Sequence, residues 1–141
     1  MIETTFVLLV IYQLKHFFAD FPLQNEYMQG KGKAGWDFIP PLLAHVLVHA
    51  IFTFMIVLSF TRELGFALVL STFDLTIHFV MDRIKAGPKY LGRFENLAKN
   101  QFASATESEL RSNKNSSTAL GFDQMVHHLT HFVIIYLVIT H

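Results

Sequence analysis

Four long apolar segments restrict the folds that are open to this sequence. A helix rises about 1.5 Å per residue, so about 20 residues cross the roughly 30 Å hydrocarbon core of a membrane. Each segment is close to that length. Together they predict an all-α, multi-pass membrane protein with four transmembrane helices. The segments cover residues 4–21, 38–60, 64–84 and 121–140.

The composition favours the same class of protein. Hydrophobic residues make up 52% of the 141 residues, charged residues make up 16%, and 15 residues are Phe. A typical soluble domain is less apolar and more charged. The length allows one domain, 1–141. Cysteine is absent, which excludes disulfides and thiolate ligands, and the zero formal net charge argues against nucleic acid as a partner.

The connections between the segments differ in length and character. Residues 22–37 contain three Gly and one Pro, which predicts a surface loop. Residues 61–63 predict a tight turn that joins the second and third helices as a hairpin. The connection 85–120 is long and polar, and we interpret its Ser-, Asn- and Thr-rich part, 103–118, as mobile. Whether that part orders over a site as a lid stays open.

Basic residues predict the orientation of the helices. Nine Lys and Arg residues lie at or within the connections 22–37 and 85–120, whereas the connection between them holds only Arg62. Loops rich in Lys and Arg remain in the cytoplasm. We therefore expect both basic loops to be cytoplasmic, with both termini on the outer side of the inner (plasma) membrane.

Ionisable residues occur inside the apolar segments as pairs spaced four positions apart. This spacing places both side chains on one face of a helix, one turn apart. Such residues normally face the interior of a membrane bundle and mark function. In the predicted orientation all the pairs lie in the cytoplasmic half of the membrane, so we expect one shared site. The pairs are His16 and Asp20, His45 and His49, His78 and Asp82, and Asp123 and His127.

The chemistry of these side chains favours a divalent transition metal as cofactor. Five imidazoles and three carboxylates provide enough ligands for one or two ions such as Zn, Mn or Fe. Unpaired carboxylates are costly to bury, and metal ions would offset their charge. If some Asp residues orient an imidazole instead, one metal with three or four His ligands remains. A proton-relay network without a metal is a further alternative.

Three more polar residues lie close to the pairs in helical register. His128 must point about 100° away from His127 on a helix, so it is the weaker ligand. His131 lies one turn from His127, and Asp74 lies one turn before His78. Both can extend the faces on which the pairs lie.

The pairs belong to longer motifs, and these motifs carry a family resemblance. In order they are His16-x-x-x-Asp20-Phe21-x-x-Gln24, His45-x-x-x-His49, His78-x-x-x-Asp82-x-x-Lys85 and Asp123-Gln124-x-x-His127. This ordered set resembles domain of unknown function 3307, a family of small bacterial and phage integral membrane proteins. The resemblance covers nearly the whole chain and implies a multi-pass membrane protein without implying an activity. Its pattern adds Gln24, Lys85 and Gln124 as candidates for hydrogen bonds to a substrate or to the ligands.

Among the function classes, we rank a metal-dependent hydrolase first. The chain is also similar, in size and in its intramembrane His/Asp pattern, to membrane-bound metal-dependent hydrolases. Asp20, Gln24, Lys85 and Gln124 are the candidate catalytic residues, with a carboxylate or imidazole as general base and Lys85 near developing charge. A cytoplasmic interface with basic residues suits a membrane lipid or a lipid-linked phosphate as substrate.

Three alternatives remain open at this point. A carrier or channel for divalent ions or protons needs polar groups across the whole membrane, and the outer half has few, such as Lys15. A homo-oligomer could still form a pore. A metal-stabilised scaffold needs the site only to hold the helices together. A di-iron oxygenase is a minor alternative, because one of the expected histidine boxes is missing.

Overall fold

Four long helices form a bundle in the computed structural model, which describes residues 2–141. Each is long and apolar enough to cross a membrane. This confirms the prediction of an all-α chain with four candidate membrane spans. A short helix, α2, and three 3-10 turns lie in the connections. The helices are α1 (Ile2–Asp20), α2 (Glu26–Gln29), α3 (Ile39–Thr61), α4 (Leu64–Ala86) and α5 (Glu107–Thr140).

The local sequence explains where α3 begins and ends. Pro residues occupy its first turn, where the missing N–H groups would have no helical partner anyway. At its other end Arg62 adopts a left-handed conformation with φ 60°, and its N–H donates to the carbonyl of Leu58 over 2.9 Å. The α4 helix begins at Leu64, so α3 and α4 form the hairpin that the short connection predicts.

The last helix is longer than the apolar pattern indicates. It begins at Glu107, whereas the apolar segment begins at residue 121. A capping box explains the start: the Thr106 hydroxyl accepts from the Glu109 N–H, and the Glu109 carboxylate accepts from the Thr106 N–H over 2.8 Å. The interpretation of 103–118 as mobile is therefore wrong for residues 107–118, which are helical and protrude beyond the apolar part of α5.

The two ends of the bundle differ in what they bury. One end is filled by an apolar cluster of seven residues contributed by α1, α3, α4 and α5. The other end, where α1 and α4 finish and α3 begins, buries His, Asp and Lys side chains. Large apolar side chains such as Phe6, Ile51 and Val69 are exposed on the outer surface, as lipid-facing residues would be. The apolar cluster consists of Leu8, Tyr12, Val57, Ala67, Leu70, Ile134 and Ile135.

Candidate metal centre

All eight residues predicted as ligands meet inside the polar end of the bundle. Each helix contributes two of them, spaced one turn apart on its inner face, as the sequence pattern predicts. Seven are buried, and Asp20, the last residue of α1, is half-buried. We divide the polar residues of this interior into two groups. The open cluster comprises His16, Asp20, His45, His49, Asp82, Asp123 and His127, and the closed cluster comprises Lys15, Thr53, Asp74, His78 and His131.

Asp20 is the centre of one half of the open cluster. His49 Nε2 lies 3.2 Å and His45 Nε2 lies 3.3 Å from Asp20 Oδ1. On the other oxygen, His16 Nε2 lies 3.0 Å from Asp20 Oδ2. His45 Nε2 also lies 3.1 Å from Asp82 Oδ2, so this imidazole connects the two carboxylates.

The second half of the open cluster is built on α4 and α5. One ligand atom each from Asp82, Asp123 and His127 lie within 4.8 Å of one another. His127 Nδ1 lies 3.8 Å from Asp123 Oδ1, and Gln124 donates to Asp123 Oδ2 over 3.2 Å. Gln124 Oε1 also lies 3.0 Å from His16 Nε2, which ties this half to the first.

The open cluster has the properties of a metal site. Among the described residues, several of its buried atoms lack a hydrogen-bond partner, including both ring nitrogens of His127 and Asp123 Oδ1. Leaving such atoms unpaired costs free energy, and a bound cation removes that cost. Ligand atoms about 2.0–2.2 Å from a tetrahedral ion lie roughly 3.3–3.5 Å apart, close to the spacing around Asp20 Oδ1. The residues therefore fit a divalent ion.

The closed cluster is built from the same residue types but contains a lysine. Lys15 Nζ donates to Asp74 Oδ2 over 2.7 Å and lies 3.3 Å from His131 Nε2. The Thr53 hydroxyl donates to the same carboxylate oxygen over 2.6 Å. Asp74, His78 and His131 are close enough to hold a metal, but the ammonium group already supplies a cation beside the carboxylate. The helical register predicts that Asp74 and His131 extend the faces of the pairs, but it does not predict that Lys15 contacts them.

His78 lies between the two clusters. Its Nδ1 is 3.1 Å from Asp74 Oδ1 in the closed cluster. Its ring centroid lies 4.1 Å from that of His49 and 4.2 Å from that of His127 in the open cluster. Its Nε2 is buried without a hydrogen-bond partner. His78 is thus the ligand candidate that both clusters share.

Comparison with known proteins identifies the family. A family model described as "Protein of unknown function (DUF3307)" matches residues 7–141, which include all eight predicted ligands. The chain belongs to the DUF3307 family. The match confirms the resemblance that the four motifs carry. Comparison with curated proteins and with solved structures gave no match.

A lysine that the motifs of this DUF3307 chain do not include also reaches the open cluster. Lys31 is buried, and its Nζ donates to Asp82 Oδ1 over 3.2 Å and to Gln24 Oε1 over 3.1 Å. Its flanking glycines let the loop approach the bundle. A Cβ on Gly30 would lie 3.2 Å from Pro41, and one on Gly32 would lie 3.4 Å from the Ala86 carbonyl oxygen. In the sequence, the Gly-Lys-Gly motif indicates that Lys31 lies where the loop approaches the bundle closely.

The lysines change the charge argument for the number of metals. The interior holds four carboxylates, and Lys15, Lys31 and Lys85 each lie within ion-pair distance of one of them. Within the described chain, Asp20 pairs with imidazoles alone. Of the three Asp residues expected to need metal ions to offset their charges, two therefore have a lysine nearby instead. Asp20 is the carboxylate without a lysine partner, and together with His45 and His49 it forms one of the groups that could hold a metal.

A cavity of about 250 Å³ opens onto the open cluster. All four residues predicted to be catalytic, Asp20, Gln24, Lys85 and Gln124, line it, and so does Lys31. The side chain of Lys85 is 33% exposed, and its Nζ lies 3.7 Å from Asp123 Oδ2. Carboxylates and two ammonium groups thus share one small polar space. The space can bind a cation and an anion next to each other.

His128 belongs to none of the groups that could hold a metal, as the helical register predicts, although its ring centroid lies 5.4 Å from that of His16. Its Nδ1 lies 3.2 Å from Gln13 Nε2 at an exposed position between α1 and α5. His141 likewise lies far along α5, where its Nε2 is 3.1 Å from the exposed carboxylate of Glu63. His141 therefore provides a histidine control that leaves the site intact.

Proposed function

We propose that this DUF3307 protein is a metal-dependent hydrolase that acts on the phosphate group of a lipid or a lipid-linked substrate. The concentration of Lys and Arg in the connections 22–37 and 85–120 supports a cytoplasmic position for the polar end. The observation that carries the proposal is the shared cavity. Candidate metal ligands lie there beside two lysines that can hold an anionic group.

Asp20, His45 and His49 would hold the ion, which we expect to be Zn, Mn or Fe. Two imidazoles and one carboxylate form a three-ligand set, and catalytic sites keep a further coordination position for water or substrate. When bound, the metal would lower the pKa of a water molecule and polarise a phosphoryl oxygen. His16 and Asp82 would orient this set, because each contacts a ligand within 3.1 Å.

The other residues of the cavity would hold the substrate and move protons. Lys31 and Lys85 offer ammonium groups to the phosphate, and Gln24 and Gln124 fix their surroundings through amide hydrogen bonds. Asp123 Oδ1 is buried without a hydrogen-bond partner, so it is available to accept a proton from attacking water. Lys85 lies 3.7 Å from Asp123 Oδ2 and would stabilise the ionised carboxylate before it accepts the proton.

The apolar cluster supports an enzyme over a transport path through one copy. Its seven residues, which include Tyr12, fill this end of the bundle, and all seven are at most 3% exposed. A pore or carrier needs polar groups or water along the full path. The polar cavity therefore ends inside the bundle, which suits a site that is entered and left from one side.

Two measurements on protein purified in detergent test the proposal. Elemental analysis should find about one divalent transition metal per chain, and His49→Ala should lose it while His141→Ala keeps it. After reloading with Zn, Mn or Fe, phosphate release should be measured with vesicles that contain phosphatidic acid or a polyprenyl phosphate. Asp123→Asn should retain the metal and lose turnover.

Each outcome has a clear meaning. Wild-type protein without stoichiometric metal would remove the metal centre from the proposal. A metal-loaded protein that releases no phosphate from either lipid, and whose His49→Ala variant unfolds at a lower temperature, would instead favour the scaffold. Uptake of the metal into proteoliposomes would favour the carrier.

A further inference from the structure

We propose that a groove between α4 and α5 holds the hydrocarbon chain of the lipid phosphate while its phosphate lies in the cavity of the open cluster. This inference rests on the proposed function and names the form of its substrate. It concerns a part of the surface that the metal site does not use.

The groove is formed where α5 passes the end of α4 and the 3-10 turn Leu91–Arg93. Its volume is about 540 Å³, and its walls are mainly apolar. Ile84 belongs to α4, Leu91 and Phe94 belong to the connection, and Ala119 and Phe122 belong to α5. The chain that follows α4 therefore completes a wall that the two helices alone would leave open.

The groove leads to the catalytic cavity through a small intermediate space of about 190 Å³. Leu91, Phe94 and Ala119 line both the groove and this intermediate space. Lys85 and Leu120 line both the intermediate space and the cavity of the open cluster. Shared walls place the three spaces next to one another, in a row from an apolar surface to the carboxylates of the open cluster.

The charge along this path matches an anionic lipid. Lys85 lies where the intermediate space meets the cavity, and its partly exposed ammonium group can bind a phosphate oxygen. The opposite end has no equivalent charge among the residues that line it, and Phe122 there is 47% exposed. An ammonium group at one end and apolar side chains at the other suit a phosphate ester with a hydrocarbon chain better than a water-soluble phosphate.

The groove would position the substrate more than it would raise its affinity. A lipid chain is already in an apolar medium, so moving it into a groove gains little hydrophobic free energy. Fixing the chain does limit the orientations of the phosphate, and small misplacements of a reacting group reduce turnover strongly. We therefore expect a blocked groove to reduce turnover of long-chain substrates selectively.

Ala119→Leu is the variant that tests the groove. Ala119 is 7% exposed and lines both the groove and the intermediate space, so added bulk enters the path. Gly121→Leu is the matched control on the same helix, because a Cβ at Gly121 meets nothing within 4 Å. The probe is phosphatidic acid with a photoactivatable diazirine in its acyl chain, in vesicles of phosphatidylcholine.

We expect photo-adducts of the wild type to concentrate in residues 91–94 and 115–122, and to fall roughly ten-fold in Ala119→Leu but not in Gly121→Leu. Turnover of long-chain phosphatidic acid should fall by a similar factor in Ala119→Leu, while turnover of the dihexanoyl form should not. Adducts spread over all four helices, equal adducts in Ala119→Leu and wild type, or adducts that join two copies of the chain would overturn the inference.

The two readouts separate this inference from the proposed hydrolase. Concentrated adducts in a protein that releases no phosphate would keep the groove as a lipid site and reject the enzyme. Phosphate release without concentrated adducts would keep the enzyme and reject the groove. If Ala119→Leu and Gly121→Leu lose the adducts equally, a larger side chain anywhere on this part of α5 has the same effect. That result would also reject the groove as the lipid site.

Discussion

The open and closed clusters both pair His with Asp at a spacing of one helical turn, and they differ in whether every carboxylate has a lysine partner. In the closed cluster, Lys15 and Thr53 both donate to Asp74 Oδ2. In the open cluster, Asp20 meets only imidazoles within ion-pair distance among the described residues. Carboxylates in low dielectric need a positive partner. The carboxylate of the closed cluster has a lysine partner, whereas Asp20 of the open cluster has none.

The difference also matches what each cluster can reach. The closed cluster lies next to the apolar cluster, and its carboxylate and lysine side chains are at most 1% exposed. The open cluster borders a cavity. An ion or a small molecule can therefore reach the open cluster but not the closed cluster. We interpret the closed cluster as a fixed support and the open cluster as the reactive site, and four substitutions can break or sharpen this distinction.

The largest effect is expected from breaking the ion pair of the closed cluster. Asp74→Asn would leave the Lys15 ammonium buried without a counter-ion, which typically costs about 3–5 kcal/mol. We expect a large fall in the temperature of thermal unfolding in detergent. Metal content per folded chain should stay unchanged, since Asp20, His45 and His49 keep their contacts.

A double variant serves as the control for this change. Lys15→Met with Asp74→Leu removes both charges, and replacing a buried ion pair by apolar groups is often close to neutral. Most of the lost stability should return. An Asp74→Asn protein as stable as the wild type would show that the closed cluster is not held by this ion pair.

The next largest effect concerns the metal ion that we propose for the open cluster. A ligand at 100 times its Kd stabilises a folded protein by about 2.7 kcal/mol. Adding EDTA to metal-loaded wild-type protein should therefore lower the unfolding temperature by a corresponding amount. In Asp20→Asn the same addition should change little, because the carboxylate with no lysine partner is gone. An equal EDTA response in both proteins would exclude Asp20 as a ligand.

Much of this arrangement could be predicted from spacing and hydropathy. The four apolar segments predict the long helices, and pairs at four-residue spacing predict which side chains face inward. His128 shows how much the helical register predicts. The register alone places its side chain away from that of His127, and in the structure His128 contacts Gln13. The position of a helix and the direction of its side chains depend on local geometry, so the sequence alone is sufficient to predict them.

The partners of the carboxylates could not be predicted in the same way. Lys31 reaches Asp82 because α2 and the following turn carry its loop over the bundle, which depends on packing against α3 and α4. Lys15 shares a helix with His16 but points to Asp74, which is 59 residues away in the sequence. By contrast, the sequence does contain a signal for the early start of α5, because Thr106 and Glu109 have the spacing of a capping box. The apolar pattern alone predicts a later start, at residue 121.

A smaller effect should come from the lysine that competes with the metal. Lys31→Met removes an ammonium group 3.2 Å from Asp82 Oδ1, and Asp82 contacts His45 of the ligand set. Loss of this positive charge should tighten metal binding by about ten-fold, which corresponds to about 1.4 kcal/mol. Competition with a chelator of known affinity measures the change. Lys33→Met, which changes an exposed lysine of the same loop, is the control.

This substitution also distinguishes two roles for Lys31. If the residue only competes with the metal, tighter binding should leave phosphate release unchanged. If it also holds the phosphate, KM for a lipid phosphate should rise while the metal binds more tightly. Weaker metal binding in Lys31→Met would mean that the loop supports the ligand set, and the open cluster would then resemble the closed one.

The smallest effect is expected outside both clusters. Thr106→Ala removes the hydroxyl that accepts from Glu109 and should loosen the first turns of α5. Loss of such a cap should raise hydrogen exchange over residues 107–112 by roughly five-fold. Because the ligands on α5 begin at Asp123, more than two turns further along the helix, the EDTA response should match that of the wild type. A changed EDTA response would mean that the protruding part of α5 helps to position the open cluster, and that the cluster depends on its surroundings as much as the closed one does.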